Sequence, residues 1–357
     1  AGIVLPLTMT AIFTVFPANK RGSAMGMVGL VIAFAPAIGP TLSGWIVENV
    51  PWQTMFYLMI PIALIDIAVA HRVLRNVTDR TFPRLDILSI CLSVVGFGSL
   101  LYGFSSAGNI GWSAPRVVVT LVVGAAGVTL FVMRQLRLPQ PILEFRVFKN
   151  RIFTIATIIG MITFVELIGA ETMLPIYMQN MAGFTALQSG LMIMPGAVLM
   201  GIMNPLAGRL FDKFGSRVLV IVGLSLVTAL LYTRLSVDTH YVYVTAVFAI
   251  RMLGLSMVLM PVTTEGLNQL ELDLIPHGTA MNNTMRQISA SIGTALLVTV
   301  MTMAALDQGS SAQAADRIHG VNVAFGVATA LAVVGLSLGF LLPSAKEREQ
   351  ESAEEAA

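Results

Sequence analysis

Long uninterrupted apolar stretches, most of them about 20 residues, run the length of this chain. An α-helix rises 1.5 Å per residue and a bilayer's hydrocarbon core is about 30 Å thick, so each stretch has the length of one membrane crossing. Hydrophobic windows place eleven expected segments at residues 1–16, 25–47, 54–74, 87–105, 117–133, 152–178, 186–206, 218–235, 241–263, 284–305 and 321–342. Only 11% of the residues are charged and 56% are hydrophobic, against about 25% charged in an ordinary soluble domain. That composition excludes a soluble enzyme and a disordered chain. A transmembrane β-barrel is excluded as well, because its strands alternate over about 10 residues rather than running continuously apolar. The expected fold class is therefore an all-α polytopic membrane protein.

Other classes fall away on the same grounds. A net charge of +2 carries no nucleic-acid footprint. Cys91 is the single cysteine, so no internal disulfide forms, and His71, His240, His277 and His319 are scattered at segment ends with no metal-ligand spacing. No Walker-type glycine loop is present to hold ATP. Neither a metal nor another cofactor is expected, and no catalytic residue set is seen, so the chain does not read as an enzyme. The first segment is too short to cross, and the chain opens on Ala rather than Met. The expectation is that the sequence begins partway through a helix, as an N-terminally truncated piece of a longer protein. The charged start of a signal peptide is not seen.

Orientation follows from where Lys and Arg fall. Alternate connectors hold Lys20 and Arg21; Arg72, Arg75, Arg80 and Arg84; five between Arg134 and Arg151; Arg209, Lys213 and Arg217; and Lys346 and Arg348 in the tail. The opposite set holds only Arg116, Arg234 and Arg317. Basic residues concentrate on the cytoplasmic side of membrane proteins, which places the C-terminus, with Glu347, Glu349, Glu351, Glu354 and Glu355, in the cytoplasm of a multi-pass plasma or inner membrane protein.

The chain also repeats itself weakly. Gly22-Ser-Ala-Met25 precedes a helix containing Ile38-Gly39-Pro40, and Gly278-Thr-Ala-Met281 precedes one containing Ile292-Gly293-Thr294. Each copy follows an apolar segment with a proline, Leu5-Pro6-Leu7-Thr8 and Met260-Pro261-Val262-Thr263. Parallel repeats of this kind build many secondary transporters, with the substrate site near the midplane between the halves.

Between the seventh and eighth segments lies Gly208-Arg209-Leu210-Phe211-Asp212-Lys213-Phe214-Gly215-Ser216-Arg217. Its glycines suit a tight turn, and Asp212 is expected to cap the helix that follows and to attract the neighbouring cations. A charged latch of this type would hold one gating state. In the second segment, Gly39-Pro40-x-x-x-Gly44 permits close helix approach and removes a backbone hydrogen bond at Pro40.

The decapeptide resembles the cytoplasmic loop signature of the major facilitator superfamily, with Phe211 at a variable position and Ser216 where a basic residue is usual. Gly39, Pro40 and Gly44 are similar to the antiporter motif of that superfamily's drug exporters, with Ser43 standing where a second glycine is common. The connector 141–153 and the helix pair 87–105 and 117–133 look like the fourteen-helix multidrug–proton antiporter branch. That resemblance implies about 11 of 14 helices in this sequence. It divides the chain into the remainder of an N-terminal bundle (1–76), two extra helices with a connector (77–150), a C-terminal six-helix bundle (151–343) and an acidic tail (344–357). It also implies that the first-helix Asp motif, the first copy of the loop signature and the fourth-helix Arg lie outside the sequence.

An ionisable side chain near the bilayer centre costs roughly 2.5–3.5 kcal/mol on insertion scales. Glu166 lies about 21 Å along its segment from the cytoplasmic start, and Arg251 about 15 Å along its own from the outer start. Both are deep and at similar height, which suits either a proton-responsive carboxylate with a cationic partner or a static ion pair. Arg251 also resembles an Arg that recurs at this place in the family's second half. Glu171 is about 140° round the helix from Glu166 and nearer the outer mouth. Asp66 is either a second coupling carboxylate or a helix-packing residue. Arg286, beside Asn282, Asn283 and Gln287, either joins the cavity or snorkels to the cytoplasmic interface. Fifteen of the 21 methionines fall between Met161 and Met303; apolar filler is the favoured reading, an adaptable pocket the other.

The expected function is a secondary transporter that exports amphiphilic drugs or toxic compounds in exchange for protons, with the substrate, protons and the lipid bilayer as partners and neither ATP nor nucleic acid among them. The alternatives are a proton-coupled symporter for a nutrient or organic anion on the same fold, and a non-transporting membrane receptor or assembly protein.

Overall fold

A computed structural model describes residues 4–17, 20–73, 86–231, 235–306, 314–344 and 347. Arg75, Arg80, Arg84, Arg234, Lys346, Arg348 and the acidic residues beyond Glu347 lie outside them.

Eleven α-helices follow one another, one for each expected apolar segment: α1 (Val4–Val15), α2 (Arg21–Asn49), α3 (Thr54–Val73), α4 (Ile87–Ile110), α5 (Pro115–Arg137), α6 (Arg151–Asn180), α7 (Ala186–Phe214), α8 (Ser216–Leu231), α9 (Tyr241–Asn268), α10 (Ile275–Leu306) and α11 (Ala314–Gly339). Nine of these, among the described residues, are long and apolar enough to cross a membrane; α1 and α8 are shorter. No strand occurs among the described residues.

Several helices outrun their hydropathy windows. The seventh extends from the expected 206 to Phe214, the ninth from 263 to Asn268, and the tenth begins at Ile275 rather than 284. Hydropathy averages fall as soon as polar residues enter, whereas a helix continues as long as its backbone bonds are made. The loop signature is therefore mostly helix. Only Gly215, at φ 77°, breaks between α7 and α8, a left-handed conformation that glycine adopts without a Cβ penalty.

Helices α6 to α11 form a bundle in which α9 is the central element, buried from Leu255 through Leu267. Helices in lipid gain little from hydrophobicity alone and rely on close packing of small residues. A Cβ added to Gly223 of α8 would stand 2.6 Å from the Gly254 carbonyl of α9, and one on Gly254 2.7 Å from the Gly223 carbonyl. Gly293 of α10 is filled by Val165 of α6. The most extensive helix contact among the described residues joins α2 to α7.

Helices α4 and α5 form a hairpin, and hydrogen bonds and apolar packing stitch down their connector to α6. Arg134 grips Asp86 through two bonds of 2.7 and 2.9 Å. Ser89 donates to Asp86, Gln135 donates to Ser89, and the Leu143 amide donates to Gln135. Leu143 and Val147, the latter in a 3-10 turn at Phe145–Lys149, are buried with Phe131 and Phe153. The Arg134 guanidinium, with the Ser89 hydroxyl, holds the Asp86 carboxyl far below the usual carboxylate range. A depressed carboxylate stabilises at every pH above its unfolded value of about 4 and loses that stabilisation only as pH falls toward the folded value. Hydrogen exchange in the 87–137 hairpin is accordingly expected to show a pH-independent opening free energy between pH 5 and 8; a fall in protection across that window would contradict the assignment.

Candidate functional site

Helix α6 opens on Asn150, whose side chain accepts from the Phe153 amide and fixes the helix start. From there Glu166 is carried to mid-helix, facing α9. Arg251 of α9 reaches it: one guanidinium nitrogen lies 3.0 Å from the Glu166 carboxylate and also donates to the Glu166 backbone carbonyl. Glu166 is 0% exposed and Arg251 3%. Leu167, Ala170, Met252 and Leu255, neighbours of the pair along α6 and α9, belong to the buried apolar cluster of the bundle. Both charges lose their solvation here, and their mutual attraction offsets that loss only while both are present.

Glu171 is partly buried and interacts electrostatically with the same guanidinium. The 140° separation of the two carboxylates on α6 keeps them off one face, yet Arg251's long side chain couples to both. Arg286 does not snorkel. It is 8% exposed and donates to the Leu259 carbonyl and the Thr263 hydroxyl of α9, with its guanidinium 5.8 Å from the Phe164 ring centre. Asp66 is not brought to the pair. Helix α3 has no buried residue and its main neighbour is α2, so Asp66 stays exposed.

The loop signature acts differently from the sequence expectation. Asp212 does not cap α8, the helix that follows it. It accepts from the Gly22 and Ser23 amides at 3.0 and 2.9 Å and from the Ser23 hydroxyl, so it caps α2. Helix α2 lacks a side-chain cap of its own at Lys20, and the last turn of α7 supplies one to its positive end. Arg21 binds the Phe13 and Phe16 carbonyls and the Asn268 side chain, tying α1 and α9 into the same corner. Arg209 and Lys213 are exposed, Arg217 is half-buried, and Gly208 packs directly on Gly22.

At the far end of the same helix pair the arrangement is mirrored. Glu48, near the end of α2, accepts from the Leu187 amide in the first turn of α7 at 3.0 Å. Between the two caps the backbones approach closely: a Cβ on Gly190 would stand 2.6 Å from the Pro40 carbonyl, and one on Gly44 2.8 Å from the Ala186 carbonyl. Gly39 faces open space, so close packing in the antiporter-like motif falls on Gly44 and its partner Gly190 rather than on Gly39.

Two buried polar residues carried no warning in the sequence reading. Asn204 of α7 donates to the Gly29 carbonyl of α2 at 2.8 Å. Glu265 of α9 is fully buried. Its position fell just past the expected end of the ninth segment, and only the continuation of the helix to Asn268 reveals it.

The fold and these sites together define a polytopic helical membrane protein with an ion pair sealed in a bundle and a capped, glycine-lined helix seam. The chain belongs to the Major Facilitator Superfamily, whose family model matches residues 1–294, and with it to a family of transporters. It is 50% identical over 344 residues to the uncharacterized MFS-type transporter YcnB of Bacillus subtilis, covering 96% of this chain and 73% of that protein. It is 41% identical to the lincomycin resistance protein LmrB of Listeria monocytogenes over 96% of this chain and 75% of that one. With the multidrug export protein EmrB of Escherichia coli it shares 26% identity over 85% of this chain and 60% of that protein.

Proposed function

We propose that this chain works as a proton-coupled exporter of amphiphilic drugs or toxic compounds, in the fourteen-helix multidrug antiporter branch. On this reading residues 1–76 belong to the first bundle, 77–150 to the extra hairpin and connector, and 151–343 to the second bundle, with the tail in the cytoplasm. The observation that carries the proposal is the sealed Glu166–Arg251 pair. A buried carboxylate beside a cation is retained against its desolvation cost where its charge is used. The names of the relatives, a lincomycin resistance protein and multidrug transporters, support export as the direction.

The mechanism follows from the geometry. With Glu166 ionised, Arg251 is held to α6. A proton arriving on Glu166 neutralises it and frees Arg251 to turn to Glu171 or to substrate, so α6 and α9 shift relative to one another. Substrate binds the other protonation state. The caps on α2 and α7 mark where the two halves part and close in alternating access.

Proteoliposomes with an acidic lumen, holding the complete protein and a panel of lipophilic compounds, test this. Uptake into the acidic lumen is expected, falling at least tenfold with Glu166→Gln. Uptake only with an acidic exterior would instead assign symport, and gradient-driven flux untouched by Glu166→Gln would remove that residue from the coupling.

A further inference from the structure

We propose that a second face of α6, turned away from the ion pair, lines a binding cavity for an uncharged amphiphile, and that the α4–α5 hairpin forms one of its walls. The cavity encloses about 530 Å³ between α4, α6 and α10, within the size range of small-molecule sites. Ile168 on its α6 wall is about 200° round the helix from Glu166, so the cavity and the charge pair occupy opposite sides of one helix.

The lining specifies the ligand. Phe164, Ile168 and Ile176 of α6 give an apolar wall. Gln287, Ser291 and Thr294 of α10 give a polar edge, spaced about 6 and 4.5 Å along the helix. Hydroxyls in membrane helices ordinarily bond a carbonyl of their own helix. Thr284, Ser289, Thr299 and Thr302 of α10 do so, each to the residue four back. Among the described residues, Ser291, Thr294 and the Gln287 amide have no hydrogen-bond partner in the protein. They are the α10 polar groups that face the cavity, and a guest with hydroxyl, ether or amide groups along one edge would complete them.

Charge is selected against. No lining residue is ionisable, and the Arg286 guanidinium stands 5.8 Å from the Phe164 ring at the wall. A cation entering would leave water, find no counter-charge among the lining residues and meet that positive field. The α4 wall is held in place: Gly108 rests on Val298 and Ala295 of α10, and Trp112 donates to Thr299 at 2.8 Å.

This inference rests on the exporter reading only for what the site is for; occupancy itself requires no proton gradient. The test uses an octyl glucoside bearing an alkyl diazirine and a matched quaternary-ammonium diazirine, each photolysed with the purified protein in phosphatidylcholine nanodiscs. Peptide mapping is expected to concentrate the uncharged probe on the lining residues of α4, α6 and α10, at least fivefold above exposed α3. Excess unmodified octyl glucoside removes that labelling, Ser291→Leu lowers it at least fivefold, and the cationic probe gives a fifth or less. Uniform labelling of lipid-facing helices, or equal labelling by the cationic probe, would overturn the proposal. If Ser291→Leu fails to fold, the wild-type map and its competition decide alone. A flux assay showing no proton coupling leaves this result standing, so the two readings fail separately.

Discussion

Arg251→Met, with Glu166 left as it is, lowers the stability of the protein by about 3–5 kcal/mol, the cost typical of removing one member of a buried pair. The reason is the wall around the carboxylate. Glu166 is 0% exposed, and the guanidinium of Arg251 is its ion-pair partner. Removal of the cation strands a charge that the site then sheds by taking up a proton or by opening. The double variant Glu166→Gln/Arg251→Met leaves neither member of the pair stranded, with only the partly buried Glu171 losing its cation, and is expected to recover most of the loss, because neutral or apolar replacements of whole buried pairs are often tolerated. Thermal unfolding in detergent, followed by intrinsic fluorescence, measures both. Equal destabilisation of single and double variants would show that the loss does not come from a stranded Glu166 charge and would leave the packing of α9 as the explanation.

Asp212→Ala raises the accessibility of the α2–α7 seam from its Asp212 end about tenfold. The carboxylate accepts from two backbone amides and one hydroxyl at the start of α2, and loss of an N-cap typically costs about 0.5–2 kcal/mol. A shift of about 1.4 kcal/mol between two states is a factor of ten in their ratio. The reporter is Met260→Cys, which is buried beside Gly29 beneath the seam, in a background where Cys91 is replaced by Ser. Its rate of modification by a membrane-impermeant thiol reagent added on the side of the Asp212 end is the measurement. Unchanged labelling would mean that Asp212 stabilises α2 without gating the seam.

How far the sequence alone reached depends on whether an interaction is local. The eleven helices were legible because each apolar run must satisfy its own backbone in lipid. The depth of Glu166 and Arg251 was legible too, since helical rise converts position into height, and two opposite charges at one height in lipid have strong reason to meet. The role of Asp212 was not legible. Reading a cap from sequence assumes that the capped helix comes next, whereas the Gly22 amide capped here lies 190 residues upstream of Asp212. Arg286 was equally ambiguous, because a guanidinium one turn from an interface reaches water or protein with equal ease. Its acceptors, Leu259 and Thr263, belong to a helix that had to be seen in place. Asp66 failed in the other direction: its sequence position gave it a depth, but no tertiary neighbour brings it to the pair.

The two caps on α2 and α7 sit at opposite ends of one antiparallel pair, so the pair behaves like a balance beam with a clasp at each tip. Rocking releases one clasp while leaving the other as fulcrum. The clasps are unequal: Asp212 closes with three hydrogen bonds and Glu48 with one. Both are closed in the structure and, with all else equal, the Glu48 tip parts more readily than the Asp212 tip. A helix pair fastened in this way opens first where fewer bonds must break, at the Glu48 end, and keeps the Asp212 end as its default closure.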